Sequence, residues 1–305
     1  YSFIQLTDNR EWRMNAYSLK SFININNSTK SIKLKIGVTK GSGETKVLDP
    51  FGQVVAEDWP EKIKSEEELK ADIASENAYY TSLNAPKLDT YGGLPGSGAQ
   101  LGLKKTGFFH IHNAGGKSYL VNPEGNLFFH TGICVFQPGD DYTYIKGREN
   151  IYAWLPKAND PVYATAFRKD DPTAFSFYIA NTIRKYGQPY ESEAFAGRMI
   201  DRVRKFGFNS IGAFSGVPAV AKEKNFPYVS SLPLSKYSTG IKTVPGAHEV
   251  WDPFDEKTVS IIEKTLAEKL TSRVNDPLLI GYFVVNEPRY DELPKIIPSL
   301  NGDQA

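Results

Sequence analysis

DPLLIGYFVVNEP, residues Asp276–Pro288, is the stretch on which the fold turns. From Leu278 to Val285 it is almost continuously apolar, with Asp276-Pro277 before it and Pro288 after it. Such a run marks a strand covered on both faces, as in a parallel sheet. Ahead of it, DEKTVSIIEKTLAEKLTSRVND has the apolar spacing of an amphipathic helix. Working backwards, FPYVSSLPL reads as a strand, VPAVAKEKN as a short helix and FNSIGAF as another strand. EAFAGRMIDRVRKFG is an amphipathic helix closed by Gly207, and NLFFHTGICVF precedes it as a first strand. The spacing predicts strands near 127–135, 208–214, 226–234 and 278–286, with helices outside them. Strands separated by helices pair in parallel through right-handed crossovers.

Two architectures fit, a (β/α)8 barrel and an open doubly wound sheet. A nucleotide-binding open sheet carries a glycine-rich turn after its first strand. Gln137-Pro138-Gly139-Asp140-Asp141 is neither that fingerprint nor a phosphate loop, which favours the barrel. Between about 137 and 190 lies a long stretch rich in Tyr, Pro and Asp, of the kind that is functional or partly helical.

Upstream, GFFHIH, NAGGK and SYLVNPEGN read as strands joined by tight turns. Residues 85–104 are a Gly/Pro/Ser-rich linker or ordered loop. Residues 61–84 are charged and helix-prone, with Ser65 as N-cap and Glu68 three residues on. SFIQL, YSLKSFININN and SIKLKIGV alternate as strands do, so residues 1–60 suggest a small β-sandwich. The expected fold is α/β: an N-terminal β-sandwich followed by the first half of a (β/α)8 TIM barrel. Its domains are 1–84, sandwich and connecting helix; 85–126, linker and entry hairpin; and 127–305, barrel strands one to four.

Composition narrows the function. Of 305 residues, 36 are Lys or Arg and 35 are Asp or Glu, a net charge of +1. That balance gives no electrostatic case for nucleic acid or an anionic membrane. No apolar run is long enough to span a bilayer. The single cysteine, Cys134, excludes an intrachain disulfide framework and a cysteine-based zinc site. His110 and His112 share a strand face but read as a surface pair. Asp140-Asp141 lacks the further spaced ligands of a calcium site. No metal and no cofactor are expected.

In either architecture the chemistry sits at the carboxyl ends of the parallel strands. The fourth expected strand ends in Asn286-Glu287-Pro288. A carboxylate there is costly unless bonded or used, and partial burial raises a carboxyl pKa toward that of an acid catalyst. The alternative is a rim residue paired with an arginine. Trp251 offers a flat face for a pyranose or packs its loop. Asn209 bonds substrate or buttresses the barrel. His130 lies in the layered interior or touches sugar. Arg148 and Glu149 suggest an ion pair in the long first loop, and Cys134 a small core residue.

The chain also resembles a known family. Asp89-Thr-Tyr-Gly-Gly93, Leu103-Lys-Lys-Thr-Gly-Phe-Phe109, Tyr119-Leu-Val-Asn-Pro-Glu-Gly-Asn-Leu-Phe-Phe129, Gly147-Arg-Glu149 and Trp154-Leu-Pro156 follow one another in order. Together with Asn286-Glu287-Pro288 they are similar, over roughly residues 88–290, to the β-agarases of glycoside hydrolase family 50, in clan A. The resemblance implies a retaining hydrolase of a β-linked galactan such as agarose, acting in the extracellular space or periplasm on oligo- or polysaccharide. It implies Glu287 as general acid/base and Asn286 at the sugar 2-hydroxyl, with Trp251, Asn209 and His130 as substrate-binding candidates. The N-terminal sandwich corresponds to a carbohydrate-binding-like domain. Val285 stands where the family more often has Asp, and Phe214 near a common Trp. Other red-algal galactan hydrolases, β-galactosidase and a non-catalytic carbohydrate-binding protein therefore remain alternatives. The opening YSFIQLT has no signal-peptide pattern.

Family members carry their nucleophile as a second Glu after strand seven. Only residues 288–305 follow Glu287, whereas a full barrel uses about 250 residues. The nucleophile is expected outside this chain, on further polypeptide or on a second chain that supplies the rest of the barrel.

Overall fold

The computed structural model describes residues 46–136, 141–234, 239–247 and 250–301. The chain divides into two units between Thr45 and Lys46, and the described residues belong to the second. The sandwich expected over 1–60 falls outside them except for 46–60. That segment is fixed to residues 151–153: Leu48 N–H donates to Ile151 O (3.0 Å) and Ala153 N–H to Leu48 O (2.8 Å).

Helix α1 (Glu66–Ser82) starts where its capping residues place it. Ser65 Oγ accepts from Glu68 N–H (3.2 Å), and Glu68 Oε2 accepts from Lys64 N–H (2.7 Å). Leu69 is its one buried residue, so α1 docks by charge. Lys185 reaches Asp72 (2.7 Å) and Glu76 (2.9 Å), and Arg202 reaches Glu76 (2.6 Å).

Strands β1 (His110–Ala114) and β2 (Lys117–Val121) form the expected hairpin. Its two turn residues, Gly115 and Gly116, have φ of +58° and +73°. A two-residue hairpin turn of this hand requires left-handed backbone at both positions.

Next come β3 (Gly132–Ile133), then β4 (Thr143–Tyr144), β5 (Phe167–Arg168) and β6 (Asp171–Phe175), and helix α2 (Phe177–Tyr186). The long stretch from about 137 to 190, expected to be functional or partly helical, holds a helix and also an antiparallel sheet ordered β4-β6-β5. Phe175, Phe167, Tyr152, Ile179 and Ile183 form its core. Arg184 is buried in that core, its guanidinium 4.0 Å from the Trp154 ring centroid and its Nη1 donating to Pro50 O (2.7 Å). Burying a cation requires such partners, and the aromatic rings supply part of them.

The remaining elements alternate as expected: α3 (Ser192–Lys205), β7 (Ser210–Ile211), α4 (Ala219–Glu223), β8 (Tyr228–Ser231), α5 (Glu256–Leu270), β9 (Leu279–Phe283) and α6 (Leu293–Ile296). Strands β3, β7, β8 and β9 make one sheet in chain order, with every pairing parallel. On one side Ile200 and Val203 of α3 pack on Ile211, Tyr228 and Leu278. The described residues thus form a mixed α/β fold, with one parallel and two antiparallel sheets.

The parallel strands are shorter than their apolar runs. Leu127 bridges back to Val121 instead of joining β3, and Phe128 packs edge-on against Phe109 (4.9 Å). The register of β3 on β7, two residues long, is reinforced from outside the sheet. Asn209 donates from Nδ2 to Gly92 O (3.0 Å) and Phe129 O (2.9 Å), and accepts Thr131 N–H at Oδ1 (2.9 Å). The Gly92 loop is held in turn by Asp89. Its carboxylate accepts from Tyr91 and Gly93 N–H (2.9 Å each), from Asn122 Nδ2 (2.9 and 2.7 Å) and from Asn126 Nδ2 (2.8 Å). A Cβ on Gly93 would lie 2.5 Å from Asn122 Nδ2, so no other residue fits this approach.

Asn122 is fully buried, and its Oδ1 also accepts from Glu124 N–H (3.1 Å) and Asn126 N–H (3.0 Å). Asn122→Ala leaves Asp89 short of partners and should cost about 3 kcal/mol of stability. Urea unfolding should show a lower midpoint with an unchanged slope; an unchanged midpoint would show that the knot is dispensable.

Candidate functional site

The carboxyl ends of the parallel strands are built from strained backbone. Val135, Phe214 and Glu287 have φ of +53°, +58° and +47°, one after each of β3, β7 and β9. For a β-branched or bulky side chain this region costs about 1–3 kcal/mol and is held only where neighbours enforce it. Here they do so at two tips. Gly212 N–H donates to Ile133 O (2.6 Å), Val135 N–H to Ala213 O (3.1 Å) and Phe136 N–H to Ser215 Oγ (2.9 Å). Phe214 is left 58% exposed.

Glu287 and Asn286 are both exposed. The partial burial expected for Glu287 is not seen, because pairing of β9 ends at Phe283 and its outer edge meets no strand among the described residues. The rim ion pair is not seen either. Arg289 turns to Asp291 (3.3 Å) and Glu292 instead. Glu287 is left without a hydrogen bond or ion pair among the described residues, at the tip of the last strand.

Trp251 belongs to the same end. It bridges to Thr243 in the loop between β8 and α5, and its Nε1 is buried without a hydrogen-bond partner among the described residues. The loop carries a small core of its own: Leu234, Ile241, Ala247 and Val250 are buried. It rests against the segment after Glu287, for a methyl on Gly246 would sit 3.7 Å from Ile296 Cδ1.

Asn209 and His130 are not brought to this end. Asn209 immediately precedes β7 and His130 lies two residues before β3, both at the amino end of the sheet. Asn209 is buried with its amide engaged by backbone, as a buttress requires. His130 lies over Gly132 and stacks on Phe128 (6.2 Å). Although part of the ring reaches solvent, desolvation of the rest holds the imidazole pKa below its ordinary value.

A well-formed cavity lies elsewhere. It has about 560 Å³ and is lined by Cys134, Phe136, Asp141, Tyr178, Tyr190 and the Phe195–Met199 face of α3. It includes none of Glu287, Asn286 and Trp251. Cys134 is exposed, not core as expected. Burial raises the Tyr178 and Tyr190 phenols, with Asp141 adding to both. The Ser176 cap and left-handed Gly187 that bound α2, one wall of this cavity, were visible signals in the sequence. Among the described residues no group of three or more His, Cys, Asp or Glu is placed to hold a metal ion. Nor is any described helix long and apolar enough to cross a membrane.

Comparison with known proteins gives a consistent set of relatives. β-Agarase B of Vibrio sp. (strain JT0107) is 32% identical over 279 residues, which are 79% of this chain and 28% of that protein. β-Agarase A of the same organism is 25% identical over 276 residues, 81% of this chain and 26% of the relative. The chain therefore spans little more than a quarter of the length of these curated relatives. Among solved structures, an agarase matches with TM-score 0.65 at 24% identity, over 80% of this chain and 38% of that one. An exo-β-agarase matches with TM-score 0.63 at 24% identity, over 84% and 40%. These two likenesses concern the fold. No family model matches the chain.

The His130 environment has a consequence for stability. A folded-state pKa below the unfolded one means that the unfolded chain binds more protons as the pH falls, so stability drops below about pH 6.5. His130→Gln should flatten the dependence of unfolding free energy on pH between about 7.5 and 5.5. Equal slopes for both proteins in urea titrations would contradict the desolvated placement.

Proposed function

Because this chain is a homologue of the glycoside hydrolase family 50 β-agarases over about four fifths of its length, we propose that it supplies the acid/base half of a retaining galactan hydrolase. One observation carries the reading. Among the described residues, an exposed Glu287 without a hydrogen bond or ion pair stands in strained backbone at the end of the fourth of four parallel strands that follow chain order. In this reading those strands are the first half of a (β/α)8 barrel, whose active groups gather at the carboxyl ends. Glu287 protonates the glycosidic oxygen as the bond breaks and then deprotonates the incoming water. Asn286 contacts the 2-hydroxyl, and Trp251 presents its ring to a pyranose face.

Retention of configuration needs a second carboxyl group about 5–5.5 Å from the first. It is assigned to polypeptide outside these 305 residues, either continuous with the chain or on a second chain. The edges of β3 and β9, which meet no further strand among the described residues, suit such an addition, as does the greater length of the relatives. Closure of the barrel then gives Glu287 the desolvation that keeps an acid catalyst protonated. The substrate is a β-linked galactan of the agarose kind, a polymer met outside the cytoplasm.

A second reading, carbohydrate binding without cleavage, draws on the exposure of Glu287, which leaves its carboxylate fully hydrated. The two readings part at one substitution. In the native polypeptide, Glu287→Gln should lower the rate on polysaccharide by at least about 100-fold, since an amide cannot protonate the leaving oxygen. The loss should be smaller on an aryl β-galactoside with a good leaving group, and the unfolding midpoint should stay put. Polysaccharide cleavage at the unaltered rate would make Glu287 a rim residue and favour the binder.

A further inference from the structure

Phe254 is 92% exposed, more than any other large hydrophobic side chain among the described residues. A phenylalanine left in water forgoes the roughly 1.5–3 kcal/mol that burial would contribute. It is also not on a slack loop. Its backbone N–H donates to Asp252 Oδ1 (3.0 Å), and the next residue, Asp255, caps α5 by accepting Thr258 N–H (2.8 Å). The ring is therefore presented from backbone fixed on both sides.

Its position is the carboxyl end of the parallel sheet. α5 leads from the end of β8 back to the start of β9, so its first turn stands at the end that carries Glu287. The loop leading into it packs on Ile296, beyond Glu287. Its surroundings are polar. Glu256 and Lys257 are exposed beside it. Lys242 lies near Asp255, whose carboxyl is held low first by hydrogen bonds from Thr258 and also by that lysine. A protein partner is recognised through a contiguous apolar patch. One rigid ring among hydrogen-bonding groups matches a pyranose, which has an apolar face edged with hydroxyls.

We infer that Phe254 is a sugar platform at the rim of the cleft, holding a galactan chain at a unit remote from the bond that is cleaved. The inference rests on the galactan reading of that end. On this inference Phe254 senses length, because a sugar unit on the rim lies beyond those at Glu287.

The test is binding of agarose-derived oligosaccharides, a disaccharide and an octasaccharide, to the native polypeptide by calorimetry. Phe254→Ala should raise the Kd for the octasaccharide about five- to tenfold, the size of one lost aromatic contact. The disaccharide Kd should change less than twofold, and Phe254→Trp should restore octasaccharide affinity. Unaltered octasaccharide affinity in Phe254→Ala would overturn this inference alone. So would equal weakening for both lengths, the mark of a structural role. Failure of the wild-type protein to bind either sugar would overturn the galactan reading and this inference with it.

Discussion

The parallel sheet begins with a pairing only two residues long, and the amide of Asn209 holds it in place. One side chain ties the Gly92 loop, the approach to β3 at Phe129 and Thr131, and the start of β7. Asp89 and Asn122 complete the clamp from the other side of that loop. A slip of one residue in a strand exchanges its two faces. Here it would carry Ile211 out of the helix-facing core and move the tip residues beyond it. The stretches Asp89–Gly93 and Asn122–Asn126, which carry part of the resemblance, are therefore scaffold: they meet in space to fix where the strand ends lie.

Given that register, strain collects at the ends. Three tips carry non-glycine residues in left-handed backbone, while the fourth such residue, Asn225, follows helix α4, where an Asn is easily accommodated. Strained residues persist where surrounding structure over-determines them, and such places are commonly functional. Neighbours bond across β3 and β7 around Val135 and Phe214, whereas Glu287 has no hydrogen bond or ion pair among the described residues, so its geometry is open to whatever completes the site.

Much of this was legible in the sequence. The helices α3 and α5 follow from their apolar spacing, and α1 from the Ser65 cap. The hairpin follows from Gly115-Gly116, and the parallel arrangement from alternation of strand and helix. The failures have physical causes. Apolar content overstated strand length, since Leu127 bridges to the hairpin and Phe128 packs on Phe109, away from the sheet. The aromatic and proline residues of 137–190 masked a core built around Phe175, although Ser176 and Gly187 bracketed a helix there. Of the two readings offered for Asn209, its buried amide fits the buttress, while His130 lies ahead of β3 at the amino end, because a residue's position along a strand depends on where pairing begins. Phe254 gave no signal, since exposure is a property of the fold.

The central claim is the role of Glu287, and rescue by an external anion tests it most directly. With Glu287→Ala in the native polypeptide, an activated aryl β-galactoside still forms the glycosyl-enzyme, because its leaving group needs no proton. Water then attacks slowly, for no base remains to take its proton. Azide is already an anion and needs none. The account predicts that azide accelerates turnover and that the product is the galactosyl azide of β configuration. An α-azide would identify Glu287 as the nucleophile, and an unimpaired rate with no azide product would remove it from the chemistry.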